Sequence, residues 1–127
     1  MNNTERRRAR RIADALELQI YPESAPAQNN PQLERATRFV RLSTTGLQVI
    51  DDNALRSEQR VRLVMQLSAD TTLHLTGRVV DTGEVSSDRG QQRYYNNIGF
   101  IDVPDDAREL LHSHVERVFR QTHSAAG

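Results

Sequence analysis

Apolar and polar residues alternate along much of this chain, and a period of two is the mark of strands with one face buried. Leu16, Leu18 and Ile20 alternate with Glu17 and Gln19, which predicts a first strand. Val40 and Leu42 flank Arg41, the run Ser43-Thr44-Thr45-Gly46 interrupts, and Leu47–Ile50 resumes, predicting two strands joined by a tight bend at Gly46. Val61, Leu63, Met65 and Leu67 share one face, with Arg60, Arg62 and Gln66 on the other. Leu73, Leu75 and Val79 repeat the pattern, and Tyr94–Val103 predicts the last strand. The segments between are rich in turn formers. Residues 22–34 hold Pro22, Pro26 and Pro31, Asp51–Glu58 is polar, and residues 83–91 carry Gly83, Asp88 and Gly90.

After residue 103 the period changes. Ala107, Leu110, Leu111, Val115, Val118 and Phe119 follow helical spacing, predicting a helix over 104–121. Pro104 suits its first turn, Asp105, Asp106 and Glu109 suit the positive end of its dipole, and Arg117 and Arg120 suit the negative end. The expectation is a mainly β protein of six short strands followed by one helix. Half-buried strands in this number close into a small barrel or sandwich, because open edges invite aggregation.

Composition narrows the possible chemistry. A chain of 127 residues suits one domain, and 36% hydrophobic residues allow a modest core. No run approaches the 18 apolar residues of a membrane-spanning helix, and no apolar stretch follows the first basic residues as in a secretory signal. A cytoplasmic protein without membrane insertion is the expectation. Cysteine is absent, which excludes disulfides, thiolate catalysis and a cysteine-based zinc site. The 17 basic residues balance 17 acidic ones, and every basic residue is arginine. Each cation is therefore a planar five-donor fork rather than a point charge.

The arginines are not spread evenly. Arg6, Arg7, Arg8, Arg10 and Arg11 crowd one short stretch, and like charges so placed repel one another. The domain reading is a flexible arm over 1–15, one barrel domain over 16–122 that includes the helix, and a tail at 123–127. A helix over 4–16 is also compatible with this composition.

Two short motifs carry candidate chemistry: Arg7-x-x-x-Arg11 in the arm and Ser43-x-x-Gly46 at the bend. Paired arginines make bidentate contacts to phosphate oxygens or to O6 and N7 of guanine. A serine beside a glycine offers a hydroxyl and approachable backbone N–H groups. Together they describe a pocket for a guanine nucleotide with more than one phosphate.

In these motifs and their order the chain resembles the PilZ domain family, bacterial receptors for cyclic di-GMP. The resemblance runs from about Thr4 to Gln121. It includes Glu5-Arg6-Arg7-Arg8 ahead of Arg11, Leu42–Leu47, Gly77-Arg78-Val79-Val80 and Ile98-Gly99-Phe100. It implies a six-stranded antiparallel barrel with a C-terminal helix. It also implies that Arg7 and Arg11 clamp phosphate and the guanine Hoogsteen edge, with Arg6 and Arg8 as auxiliary cations. Ser43 would meet the base or phosphate, and Gly46 would permit the bend and close approach.

One position departs from the family's pattern. Two residues before the serine the family has Asp or Asn, and here stands Arg41. An acid or amide oxygen accepts hydrogen bonds from guanine N1–H and N2–H2, whereas arginine has no acceptor. Leaving such donors unmet costs about 1–3 kcal/mol, and phosphate contacts from Arg41 would offset part of that. Arg41 also fits a solvent-facing strand residue between Val40 and Leu42. The resemblance thus implies a cyclic di-GMP receptor without enzymatic output, signalling to a protein partner as its arm orders. The alternative is a degenerate member, a protein–protein interaction module that binds no nucleotide.

Other signals point elsewhere more weakly. Asp81-Thr82-Gly83 is the tripeptide of dimeric aspartic proteases, but it also suits a turn at a strand end. His74, His112, His114 and His123 form no metal signature and read as surface residues, since His112-x-His114 lacks the i, i+4 spacing of one helix face. Nothing in the spacing gives Ser43 a catalytic His or Asp. Nucleic-acid binding through the arm is disfavoured, because outside it acids outnumber arginines. Tyr94 and Tyr95 are moreover neighbours pointing to opposite faces of a strand, so they form no stacking platform.

Overall fold

The computed structural model describes residues 11–23, 33–85 and 90–124. Six strands form: β1 (Ile12–Pro22), β2 (Leu33–Leu42), β3 (Gly46–Asp51), β4 (Arg60–Ser68), β5 (Thr71–Val85) and β6 (Arg93–Ile101). One helix, α1 (Asp105–Ser124), follows. The strands close into an antiparallel barrel in the order β1-β2-β3-β6-β5-β4. The pairing of β1 with β4, from Glu17↔Gln66 to Pro22↔Val61, completes the ring. Closure gives every strand a partner on both sides along part of its length.

The period-two apolar positions are the ones that fill the interior. Leu18, Ile20, Leu42, Val49, Val61, Leu63, Met65 and Val79 are all essentially without solvent contact. One side of each strand therefore supplies the core, and the other carries the charges. Leu55, from the loop after β3, is buried as well. Its N–H donates to the Asn96 side-chain oxygen at 2.8 Å, and the Asn96 amide donates to the Asn53 carbonyl at 3.2 Å. The same loop is anchored at its start by the ion pair of Arg38 with the buried Asp51.

Several elements differ from the sequence expectation, and β2 begins at Leu33, inside the segment read as a loop. β1 already starts at Ile12, within the stretch read as arm, because Ile12 points to the same side as Leu16 and pairs with Leu42. The helical alternative therefore fails over 12–16, and residues 1–10 lie outside the described residues, as do 24–32. β5 runs on through Val85, so Asp81-Thr82-Gly83 is strand rather than turn. The register on β6 shifts between Val79 and Asp81, which leaves Val80 as a bulged, 58% exposed residue and lets the strand continue. Finally, the apolar stripe of α1 is narrower than its sequence suggests.

Ala107, Leu111 and Val115 pack into the core, but Leu110 is 44% exposed. The helix starts where expected, with the Arg108 N–H donating to the Pro104 carbonyl at 2.9 Å and Asp105 and Asp106 in the first turn. His114, read from sequence as a surface residue, is buried on the inner face of α1. Its Nε2 lies 2.7 Å from Asp14 Oδ2 on β1, and Arg117 Nη2 lies 3.0 Å from its Nδ1. Since arginine only donates, Nδ1 accepts, and Nε2–H donates to Asp14. The helix is thus clasped to the strand that follows Arg11.

Candidate functional site

A cleft of about 300 Å³ opens on the outside of the barrel where the start of β1, the β2–β3 turn, β6 and the β5 bulge meet. Its walls include Arg11, Arg41, Ser43, Thr45, Gly46, Gln48, Val80, Asn97 and Gly99. Strand register explains the grouping. Arg41 pairs with Gln48 on β3, Gln48 with Asn97 on β6, and Asn97 with Asp81 on β5, so these outward side chains form one row around the barrel. Arg11 sits one residue before Ile12, the partner of Leu42, which brings it beside Ser43.

The turn between β2 and β3 is held tightly. The Ser43 N–H donates to the Gly46 carbonyl at 2.9 Å, closing a hairpin whose loop is Thr44-Thr45. Ser43 Oγ accepts the Thr45 N–H at 3.1 Å and lies 3.0 Å from Thr45 Oγ1. The side chain is almost fully buried, so its hydroxyl serves the turn first. The Phe100 N–H then donates to the Thr45 carbonyl at 2.9 Å, pinning the turn to β6. Gly46 is needed there for space. A Cβ on it would stand 2.4 Å from the Ile98 carbonyl oxygen.

The electrostatic character is one-sided. Arg11 and Arg41 both line the cleft and are exposed, no carboxylate lines it, and neither arginine forms an ion pair among the described residues. Two guanidinium forks facing one cavity suit an anion with planar or phosphate acceptors. Of the residues singled out in the sequence, Arg11, Arg41, Ser43 and Gly46 are brought together here. Arg6, Arg7 and Arg8 lie outside the described residues.

Sequence reasoning passed over Gln48 and Asn97. A signal for Asn97 was present, because asparagine is disfavoured in strands and Asn96-Asn97 occupies the middle of one. Asn96 turns inward to hold the 53–55 loop, whereas Asn97 turns outward into the cleft. Asp81, the residue of the protease tripeptide, accepts a hydrogen bond from the Tyr95 hydroxyl at 3.2 Å on the outer surface. Among the described residues no cluster of His, Asp and Glu could hold a metal ion, and no helix is long and apolar enough to cross a membrane.

A closed six-stranded barrel with a terminal helix defines a small β-barrel domain, here with a cationic cleft beside its second turn. The family model described as PilZ domain matches residues 5–117, and the chain belongs to the PilZ domain family. Solved structures agree on the fold. The PilZ domain of YcgR from Escherichia coli, solved with c-di-GMP, is 18% identical with a TM-score of 0.65, over 95% of this chain and 97% of that one. A tetrameric PilZ domain from Xanthomonas campestris is 14% identical with a TM-score of 0.67, over 90% of each chain. The Bacillus subtilis inhibitor of motility MotI/DgrA is 18% identical with a TM-score of 0.60, and the match covers 89% of this chain and 50% of that protein. No curated protein matches the chain.

Proposed function

We propose that this protein is a cytoplasmic, non-enzymatic receptor for cyclic di-GMP, which passes its liganded state to a protein partner. The observation that carries this reading is the cleft itself. Arg11, the second arginine of the Arg-x-x-x-Arg motif, and the Ser43-x-x-Gly46 turn meet in one cavity, and among the described residues no carboxylate lines it. Arg7, with Arg6 and Arg8 as auxiliary cations, would reach the ligand from the arm, and the phosphates would neutralise arginines that otherwise repel. The ordered arm and the filled cleft then present a changed surface, and that change is the signal.

Arg41 supports the alternative of a degenerate member that binds no nucleotide, because it stands where the family's acceptor stands and lines the same cleft. Calorimetric titration of cyclic di-GMP separates the two. Micromolar or tighter binding that disappears in the Arg7→Ala/Arg11→Ala double variant establishes the receptor. Absence of heat and of amide chemical-shift changes at millimolar ligand overturns it in favour of the interaction module.

A further inference from the structure

The outward row of the cleft bears on how this chain would read the base. A guanine carries acceptors at O6 and N7 and donors at N1–H and N2–H2. Arg41 can serve the acceptors or a phosphate, but it offers nothing to the donors. An acceptor must therefore come from elsewhere in the cleft, or those donors lose their partners when the base leaves water.

The other oxygens of the wall are mostly occupied. Ser43 Oγ and Thr45 Oγ1 face each other at 3.0 Å, the Gly46 carbonyl takes the Ser43 N–H, and the Thr45 carbonyl takes the Phe100 N–H. Among the side chains of the wall, the remaining acceptors are two amides in the row of Arg41: Gln48 on β3, its direct partner, and Asn97 on β6, one strand further on. Both line the cleft and are half-buried, and neither side-chain amide has a hydrogen-bond partner among the described residues. The neighbouring Asn96 is a useful contrast, since both ends of its amide are engaged in the fold. Asn97 thus keeps a strand-disfavoured side chain with no structural task at the mouth of a cationic cavity.

We infer that Asn97, with Gln48 beside it, supplies the acceptors for guanine N1–H and N2–H2, replacing the oxygen that Arg41 removes. Arg41 is then left for O6 and N7 or for phosphate. The base-reading group has moved across the row onto β3 and β6. This inference rests on the cyclic di-GMP reading above and names its specificity residues.

The test compares cyclic di-GMP with its cyclic di-inosine analogue, which lacks N2–H2, by titration into wild type, Asn97→Leu, Gln48→Met and the double variant. Both replacements keep side-chain size and remove the amide, and melting curves confirm that the barrel stays folded. Wild type is expected to prefer the guanine ligand. The double variant is expected to bind cyclic di-GMP about tenfold more weakly, as for a lost hydrogen bond to a desolvated donor, and to lose the preference. Asn97→Asp, which keeps an acceptor, is expected to retain it. A double variant with undiminished preference overturns this inference while the receptor reading stands. A wild type that binds neither ligand overturns both.

Discussion

Substituting the two glycines of one register pair should have opposite effects, although both line the same cleft. Gly46 on β3 and Gly99 on β6 are direct partners. A Cβ on Gly46 would stand 2.4 Å from the Ile98 carbonyl oxygen and 3.2 Å from the Gly99 Cα. An ordinary carbon–oxygen contact is about 3.3–3.6 Å, so β3 and β6 must part by about 1 Å. The obstacle is backbone, and it cannot swing aside like a side chain. Leu47 and Ile98, the next pair along, are buried in the core, so parting the strands also disturbs packing there.

Overpacking of this kind costs about 1–3 kcal/mol, and the lower chain entropy of unfolded alanine returns about 0.4–1 kcal/mol. The net loss for Gly46→Ala is about 1–2 kcal/mol, which for a domain of this size lowers Tm by roughly 4–8 °C. On Gly99 the added Cβ meets only Val80 Cγ2 at 3.5 Å, an ordinary contact. Gly99→Ala should therefore melt at or slightly above the wild-type temperature. Thermal and urea melts of the two variants read this directly. A Gly46→Ala protein as stable as wild type, or a Gly99→Ala protein that loses as much, would show that close approach at the turn is not why glycine stands at position 46.

Three further outcomes are expected. The His114–Asp14 hydrogen bond at 2.7 Å should appear in a double-mutant cycle of His114→Ala and Asp14→Ala as a coupling of about 1–2 kcal/mol, and strictly additive losses would count against the clasp. The Tyr95 phenol is held above its ordinary pKa by the charge of Asp81 and by its hydrogen bond to that carboxylate. A raised value means this contact stabilises the fold below the ordinary phenol pKa and is lost as pH rises through the raised one. Absorbance titration should show one tyrosine ionising late, and Asp81→Asn should bring it back toward the ordinary range. Glu23 is held below its ordinary pKa chiefly by the hydrogen bond from Arg60, whose Nε lies 2.7 Å away. Its contribution is present above the ordinary carboxylate pKa and lost as pH falls through the lowered value. A carbon-detected NMR titration should place its midpoint low in wild type and near the ordinary value in Arg60→Gln.

Most of the barrel was legible because each strand buries one face, and Leu16, Leu18 and Ile20 or Val61, Leu63 and Met65 display that face as a period of two. What stayed hidden were features set by partners distant in sequence. Ile12 gives no alternation of its own, and only its pairing with Leu42 makes it strand. His114 resembles any helical histidine until Asp14, far back in the chain, comes within hydrogen-bond reach. The Val80 bulge has no sequence mark either. Two residues of β5 must face one of β6 before it exists, and it carries β5 past the expected turn.

The site shows the same division at higher resolution. Arg11, Ser43 and Gly46 were legible as motifs because they are close in sequence to what they shape, and the turn bonds of Ser43 bear out the bend. Arg41 taken alone posed a conflict, a donor where the family has an acceptor. Register places Gln48 beside it and Asn97 one strand further along the same row, and a barrel wall is read across strands rather than along one. Under the inference above, the group absent at position 41 is replaced from β3 and β6 while both motifs stay unchanged. In this cleft the outward residues of β2, β3 and β6 stand in one row, so the motif along one strand covers only part of the wall. The residues to consult next are the outward ones on the neighbouring strands at the same height.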